Sequence, residues 1–169
     1  VEDAAQLFTL LQGVDDLDPR TKLMPPADVF ATLEEGVDGL TLGRLADQEL
    51  DAVEPEVLAA YETSITTLEK QGATVVEVSL PVRLHDMIEM TMQIIAAEGY
   101  SFYGSLVDDP SLPLDDAVRP RIGIGRDILA KDYLMALRDR EGLKRSFAES
   151  LVHVDALLTP TTATIAPVV

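Results

Sequence analysis

Apolar residues recur along this chain with two spacings, one helical and one alternating, and the switches between them predict its elements. Residues 2–12 read as a helix whose apolar face carries Ala4, Ala5, Leu7, Phe8 and Leu11. Gly13 ends it, and Asp15-Asp16-Leu17-Asp18-Pro19 is turn chemistry. Residues 14–38, rich in proline, glycine and acids, read as a surface connection. Alternation over 40–46 predicts a strand. Pro55 then fits a first helical position, and Glu56 complements the positive end of a helix over 56–71. Val57, Tyr61, Ile65 and Leu68 form its buried stripe, Gly72 stops it, and the β-branched run over 73–79 is a second strand closed by Pro81. A connection of this length favours a parallel β-α-β unit.

The second half is mostly helical. A long helix is predicted over 84–103, with Leu84, Met87, Ile88, Thr91, Met92, Ile95 and Phe102 along one side. Met87, Met90 and Met92 read as adaptable core filling rather than a binding surface. Asp108-Asp109-Pro110 through Pro113 break the chain, and a shorter helix is expected over 115–129. Another long helix covers 131–152, with Tyr133, Leu137, Leu143, Phe147 and Leu151 inward. A last strand follows over 154–159, ended by Pro160. Helices alternating with three short strands predict an α/β fold of the three-layer type around a small, mostly parallel sheet.

Composition narrows the function classes. With 47% hydrophobic residues and a mean hydropathy of +0.13, a buried core is within reach despite a net charge of −17. So acidic a chain repels phosphate backbones, which argues against direct nucleic-acid binding. The charge is uneven: residues 1–62 hold 15 acids and 3 basic side chains, whereas 119–145 hold 8 of the 13 Lys/Arg against 4 acids. That basic stretch could meet an anionic ligand or the protein's own acidic surface. There is no cysteine, hence no disulfide, thiolate nucleophile or Cys-based metal site, and a reducing, cytoplasmic setting is expected. No apolar run approaches the ~20 residues of a membrane span. Val1-Glu2-Asp3 lacks the basic start of a signal peptide, and the chain opens directly in a helical pattern, as if cut at the front.

The usual catalytic motifs are missing. None of the seven serines lies in a G-x-S-x-G turn. His85 and His153 sit at helix ends, where structural roles suffice. No metal-ligand pattern occurs. Gly123-Ile124-Gly125 lacks both the third glycine and the preceding strand of a dinucleotide fingerprint, so no cofactor is expected.

Five stretches in order carry a resemblance. VEDAAQLFTLLQGVDDLD, GVDGLTLGRL, VEPEVLAAYETSITTLEKQGATVVEVSLP, AVRPRIGIGRDILAKDYLMALRDR and VDALLTPTTATIAP together resemble the amidase-signature hydrolases, a family that includes the A subunit of glutamyl-tRNA(Gln) amidotransferase. Such enzymes cleave amides with a serine nucleophile, a second serine in a cis peptide and a lysine base. The resemblance places those groups upstream of Val1. It implies that residues 1–169 are one α/β segment of a larger amidase-signature domain, inactive alone, whose intact form takes a small amide substrate.

The resemblance also implies candidate binding residues. Arg121, in the R-I-x-x-G stretch, matches an arginine that holds a substrate carboxylate, a task its planar fork suits; a structural salt bridge is the competing role. Pro120, Gly123, Arg126 and Asp127 depart from the family's usual residues. Thr159, Thr161 and Thr162 follow a strand's carboxyl end, where open α/β sheets place ligands; turn hydrogen bonds are the alternative. A second hypothesis makes the chain a self-standing module that binds or self-associates through exposed core surface.

Overall fold

A computed structural model describes residues 1–166. Its elements run α1 (Glu2–Leu11), β1 (Thr41–Leu45), α2 (Pro55–Lys70), β2 (Thr74–Val78), α3 (Ile88–Asp108), α4 (Val118–Gly123), α5 (Ala130–Ser150) and β3 (Ala156–Leu158), with single 3-10 turns between several of them. The three strands form one parallel sheet in the order β2-β1-β3, as the α/β reading predicts. The central strand pairs Thr41 with Thr74 through Leu45 with Val78 on one side, and Leu42 with Ala156 through Arg44 with Leu158 on the other.

The β1-α2-β2 unit follows from its punctuation. Pro55 opens α2 at a position whose N–H would have no intrahelical partner anyway. At the other end Gly72 takes φ +99°, the left-handed region that glycine enters without strain. The Gly72 N–H donates to the Glu69 carbonyl at 3.1 Å and the Ala73 N–H to the Leu68 carbonyl at 3.1 Å, which is the Schellman arrangement. The chain turns from helix to strand within three residues. The stripe of α2 then packs on the sheet: Leu45, Leu50, Tyr61 and Ile65 form the buried cluster, flanked by Val53, Leu58, Val75, Leu157 and Leu158. Leu45 is 1% exposed, and its burial stabilises the fold by roughly 1.5–3 kcal/mol.

β3 is shorter than the 154–159 expected, and at its start the chain is still leaving the turn that ends α5. The Val154 N–H still belongs to the turn that ends α5, donating to the Leu151 carbonyl at 3.1 Å. The Asp155 carboxylate accepts from the Thr41 N–H at 2.8 Å, while the Asp155 N–H donates to the Thr41 carbonyl at 2.7 Å.

The helices of the second half differ from expectation in instructive ways. α3 continues to Asp108 rather than stopping near 103, since Gly104 is covered by the Tyr100 ring and the break waits for the residue before Pro110. Its buried side is not carried by the largest apolar residues. Ile94, Ala96 and Val107 are buried, whereas Ile88, Met92, Ile95 and Phe102 are exposed, Phe102 by 80%. The seam is set by small residues that let backbones approach. A Cβ on Gly125 would lie 2.0 Å from the Ala96 carbonyl oxygen. The expected helix over 115–129 is therefore split into α4 and a 3-10 turn over Ile124–Asp127 that carries this contact. Gly123-Ile124-Gly125 serves packing.

α1 forms as expected, yet only Ala5 of its apolar face is buried; Leu7, Phe8 and Leu11 stand 59%, 50% and 83% exposed. The accessible surface totals 12518 Å². A compact monomer of this mass would expose about 8,100 Å². Much apolar surface is thus left uncovered. No helix among the described residues is long and apolar enough to cross a membrane.

Candidate functional site

The carboxyl end of β3 opens into a cleft of about 340 Å³ between α2 and the segment that follows the strand. Thr159, Pro160, Thr161 and Thr162 form one wall. Val57, Ala60, Ser64 and Leu68 of α2 form the other, with Tyr61, Ile65 and Leu158 also contributing. The helical spacing of 57, 60, 61, 64, 65 and 68 explains why one face of α2 can line the whole length.

Two side chains hold the threonine segment against α2. The Tyr61 hydroxyl accepts from the Leu45 N–H and donates to the Leu158 carbonyl, both at 3.1 Å, just past the last β1–β3 register pair. At the other end the Glu54 N–H donates to the Ala163 carbonyl at 2.8 Å, and the Glu54 carboxylate accepts from the Ile165 N–H at 3.1 Å. The segment is an arch pinned at 158 and at 163–165. Among its hydroxyls, that of Thr162 donates to the Thr164 carbonyl at 2.8 Å, and opposite it that of Ser64 donates to the Ala60 carbonyl at 2.9 Å.

The structure thus brings Thr159, Thr161 and Thr162 together. It does not bring Arg121 to them: Arg121 lies exposed on α4 and is not among the residues lining the cleft. Nor does Arg121 form an ion pair among the described residues. Its neighbours are the structural arginines. Arg119 donates to the carbonyls of Leu106, Val107, Asp109 and Leu112, tying the end of α3 to the following loop. Arg126 pairs with Asp108 and lies over the Tyr100 ring, 5.5 Å from its centroid. The Tyr100 hydroxyl donates to Asp108 at 2.6 Å, and this bond first, then Arg126, holds the Asp108 carboxyl below the usual carboxylate range.

Four serine hydroxyls elsewhere are engaged locally. Those of Ser101, Ser146 and Ser150 donate to helix carbonyls, and that of Ser111 to Asp109. No serine–lysine or serine–histidine hydrogen bond, and no group of three metal-ligating side chains, occurs among the described residues. Sequence reasoning missed Glu54, Ser64 and the second role of Tyr61. The signal for Tyr61 was available, since a tyrosine on a buried stripe must find a partner for its hydroxyl.

Comparison with known proteins decides the family. The family model described as Amidase matches residues 1–169. The chain belongs to the amidase family. An amidase of Pseudomonas putida is 33% identical over 162 residues, covering 95% of this chain and 34% of that protein. The A subunit of a glutamyl-tRNA(Gln) amidotransferase from Chloroflexus aggregans is 30% identical over 190 residues, covering 98% of this chain and 38% of that protein. Among solved structures, a chain of a vestigial protein complex that reveals the evolutionary origins of an s-triazine catabolic enzyme superposes with a TM-score of 0.82 at 24% identity, covering 96% of this chain and 35% of that one, which speaks to the fold alone. This amidase-family chain therefore spans about a third of the length of the relatives it matches.

Proposed function

We propose that this chain supplies one wall of the substrate cleft in an amide-cleaving enzyme of the amidase-signature type. One observation carries the reading: three threonines sit together at the carboxyl end of a parallel strand, pinned in an arch over α2, in a chain matched throughout by the amidase family. Carboxyl ends of parallel strands are where open α/β sheets gather ligand-binding loops. The serine nucleophile, second serine and lysine base that the family resemblance implies belong to the rest of the protein, and a lysine base needs a dry setting to shed its proton. Arg121, exposed and unpaired among the described residues, is available to a substrate carboxylate or to a charged surface of that remainder. The lack of cysteine suits a reducing, cytoplasmic setting.

The test is turnover. A protein containing this chain together with the remaining two-thirds of the family's length should release ammonia or amine from small amides, and the 169-residue chain alone should give no more than a buffer blank. Hydrolysis by the isolated chain, abolished by a serine-reactive phosphonate, would overturn the division of labour.

A second reading, a non-catalytic module that self-associates, is favoured by the exposed surface of 12518 Å² and by the uncovered α1 face. Exposed apolar faces such as that of α1 promote association. Sedimentation at rising concentration separates the two: stable, discrete oligomers favour the module, whereas indefinite association favours a segment lacking its covering neighbours.

A further inference from the structure

We propose that the groove where the start of α3 meets the second half of α5 binds a medium-chain aliphatic carboxylate, its tail on methionines and its head on Arg140 and Lys144. Half-buried Met87, Met90, Leu143 and Phe147 form the apolar floor of a space of about 410 Å³, and Thr91, Arg140 and Lys144 form its rim. Arg140 and Lys144 stand four residues apart on α5 and so share a face. Through Thr91 and Arg140 the groove adjoins a second space of about 530 Å³, which Arg20 enters from the loop after α1. Neither space shares a lining residue with the cleft beside α2. A helix ~10 Å across would fill the floor space of about 410 Å³ with a single turn, so a short flexible chain suits it better.

Charge selects the head. The chain holds 30 acids against 13 Lys/Arg, so its cations have partners in excess, and Arg126 and Lys131 find theirs. Arg20 and Arg140 form no ion pair among the described residues. Lys144 meets only Glu141 of its own helix, in an exposed pair that holds the amine weakly. The acids of the α3–α5 seam, Asp86, Glu89, Asp132 and Asp139, line a separate hollow that shares only Met90 with the groove. Glu98, at the far end beside Arg20, accepts from the Tyr133 hydroxyl at 2.9 Å. A guanidinium fork can grip both oxygens of a carboxylate, and it gives up its hydration more readily than an ammonium. The floor selects the tail: methionine side chains are unbranched and polarisable and reshape around an alkyl chain. The basic stretch thus finds an anionic ligand rather than the protein's own acids at Arg140, and Met87 and Met90 serve as a wall as well as filling.

The experiment is an NMR titration of the longer protein that contains this chain, carrying isotopically labelled methionine methyl groups. Met87→Leu and Met90→Leu assign the two resonances. Octanoate should move both saturably. Hexanoate, with two fewer methylenes to bury, should bind about fivefold more weakly. Octanol, with no charge to pair, should bind about tenfold more weakly. Arg140→Gln should weaken octanoate about tenfold and leave octanol and the thermal melt unchanged. Equal affinity for octanol, indifference to Arg140→Gln, or no shift at Met87 and Met90 overturns the proposal. Shifts in the isolated chain that vanish in the longer protein also overturn it, assigning the groove to a covering segment. Methyl shifts that follow protein concentration without any octanoate overturn it in favour of a second copy. None of these outcomes depends on amide turnover.

Discussion

The hydroxyl of Tyr61 bridges the Leu45 N–H and the Leu158 carbonyl at 3.1 Å each, so one atom of α2 completes the pairing of β1 with β3 where their ladder ends. The same oxygen fixes the point from which the threonine arch departs. Core packing and site geometry therefore share a residue.

Tyr61→Phe should keep the packing of the ring and strip both bonds, leaving a buried donor and an acceptor unsatisfied. A loss of about 1–3 kcal/mol is expected in urea unfolding. The amide of Leu45 should also exchange with solvent faster. Unchanged stability and exchange would show that water replaces the hydroxyl.

Glu54 acts on the other end of the arch through its side chain and its backbone. Glu54→Ala should release the Ile165 N–H and raise its exchange rate, while the backbone bond to Ala163 persists. Glu54→Gln keeps an acceptor oxygen and should restore most of the protection. If the glutamine variant behaves like alanine, charge rather than the hydrogen bond holds the arch.

Two glycines should respond oppositely to alanine. At Gly125 the new methyl would meet the Ala96 carbonyl at 2.0 Å and the Tyr100 Cβ at 2.6 Å, and the α3 seam would have to open, at a cost of about 1–3 kcal/mol or more. At Gly142, inside α5 with nothing within 4 Å, alanine should stabilise by about 0.5–1 kcal/mol. Thermal melts of the two variants decide it.

Acid should loosen the junction of α3 with the 3-10 turn at 124–127. Tyr100 and then Arg126 depress the Asp108 carboxyl in the folded state. A depressed carboxyl contributes stability that is present above its unfolded-state value and lost as pH falls through the folded one. Carbon-detected NMR titration should find Asp108 ionised below the ordinary carboxylate range, and Tyr100→Phe should move it upward. The contribution is screened, since the pair is exposed. An Asp108 titrating normally would remove the junction's pH sensitivity.

The β-α-β unit was legible in the sequence because its signals are local. Pro55, the stripe from Val57 to Leu68, and Gly72 each act within a few residues, and each appears where expected. The seam of α3 was not. Its largest apolar residues, Ile88, Met92, Ile95 and Phe102, point outward, and its contact is marked by Ala96 facing Gly125, residues that a reading weighted by apolar size passes over. The site divides in the same way. Thr159, Thr161 and Thr162 announce themselves after a strand, but their clamps join residues 97 and 111 positions apart, which no spacing reveals.

The bond between Asp155 and Thr41 spans 114 positions, so the third strand can take its place only after an intervening loop of that size has closed. Closing so distant a pair is slow compared with forming α2 and its two flanking strands. A newly made chain would accordingly hold a finished two-strand unit for some time before any binding cleft exists, and the threonine arch is among the last parts of the molecule to come into being.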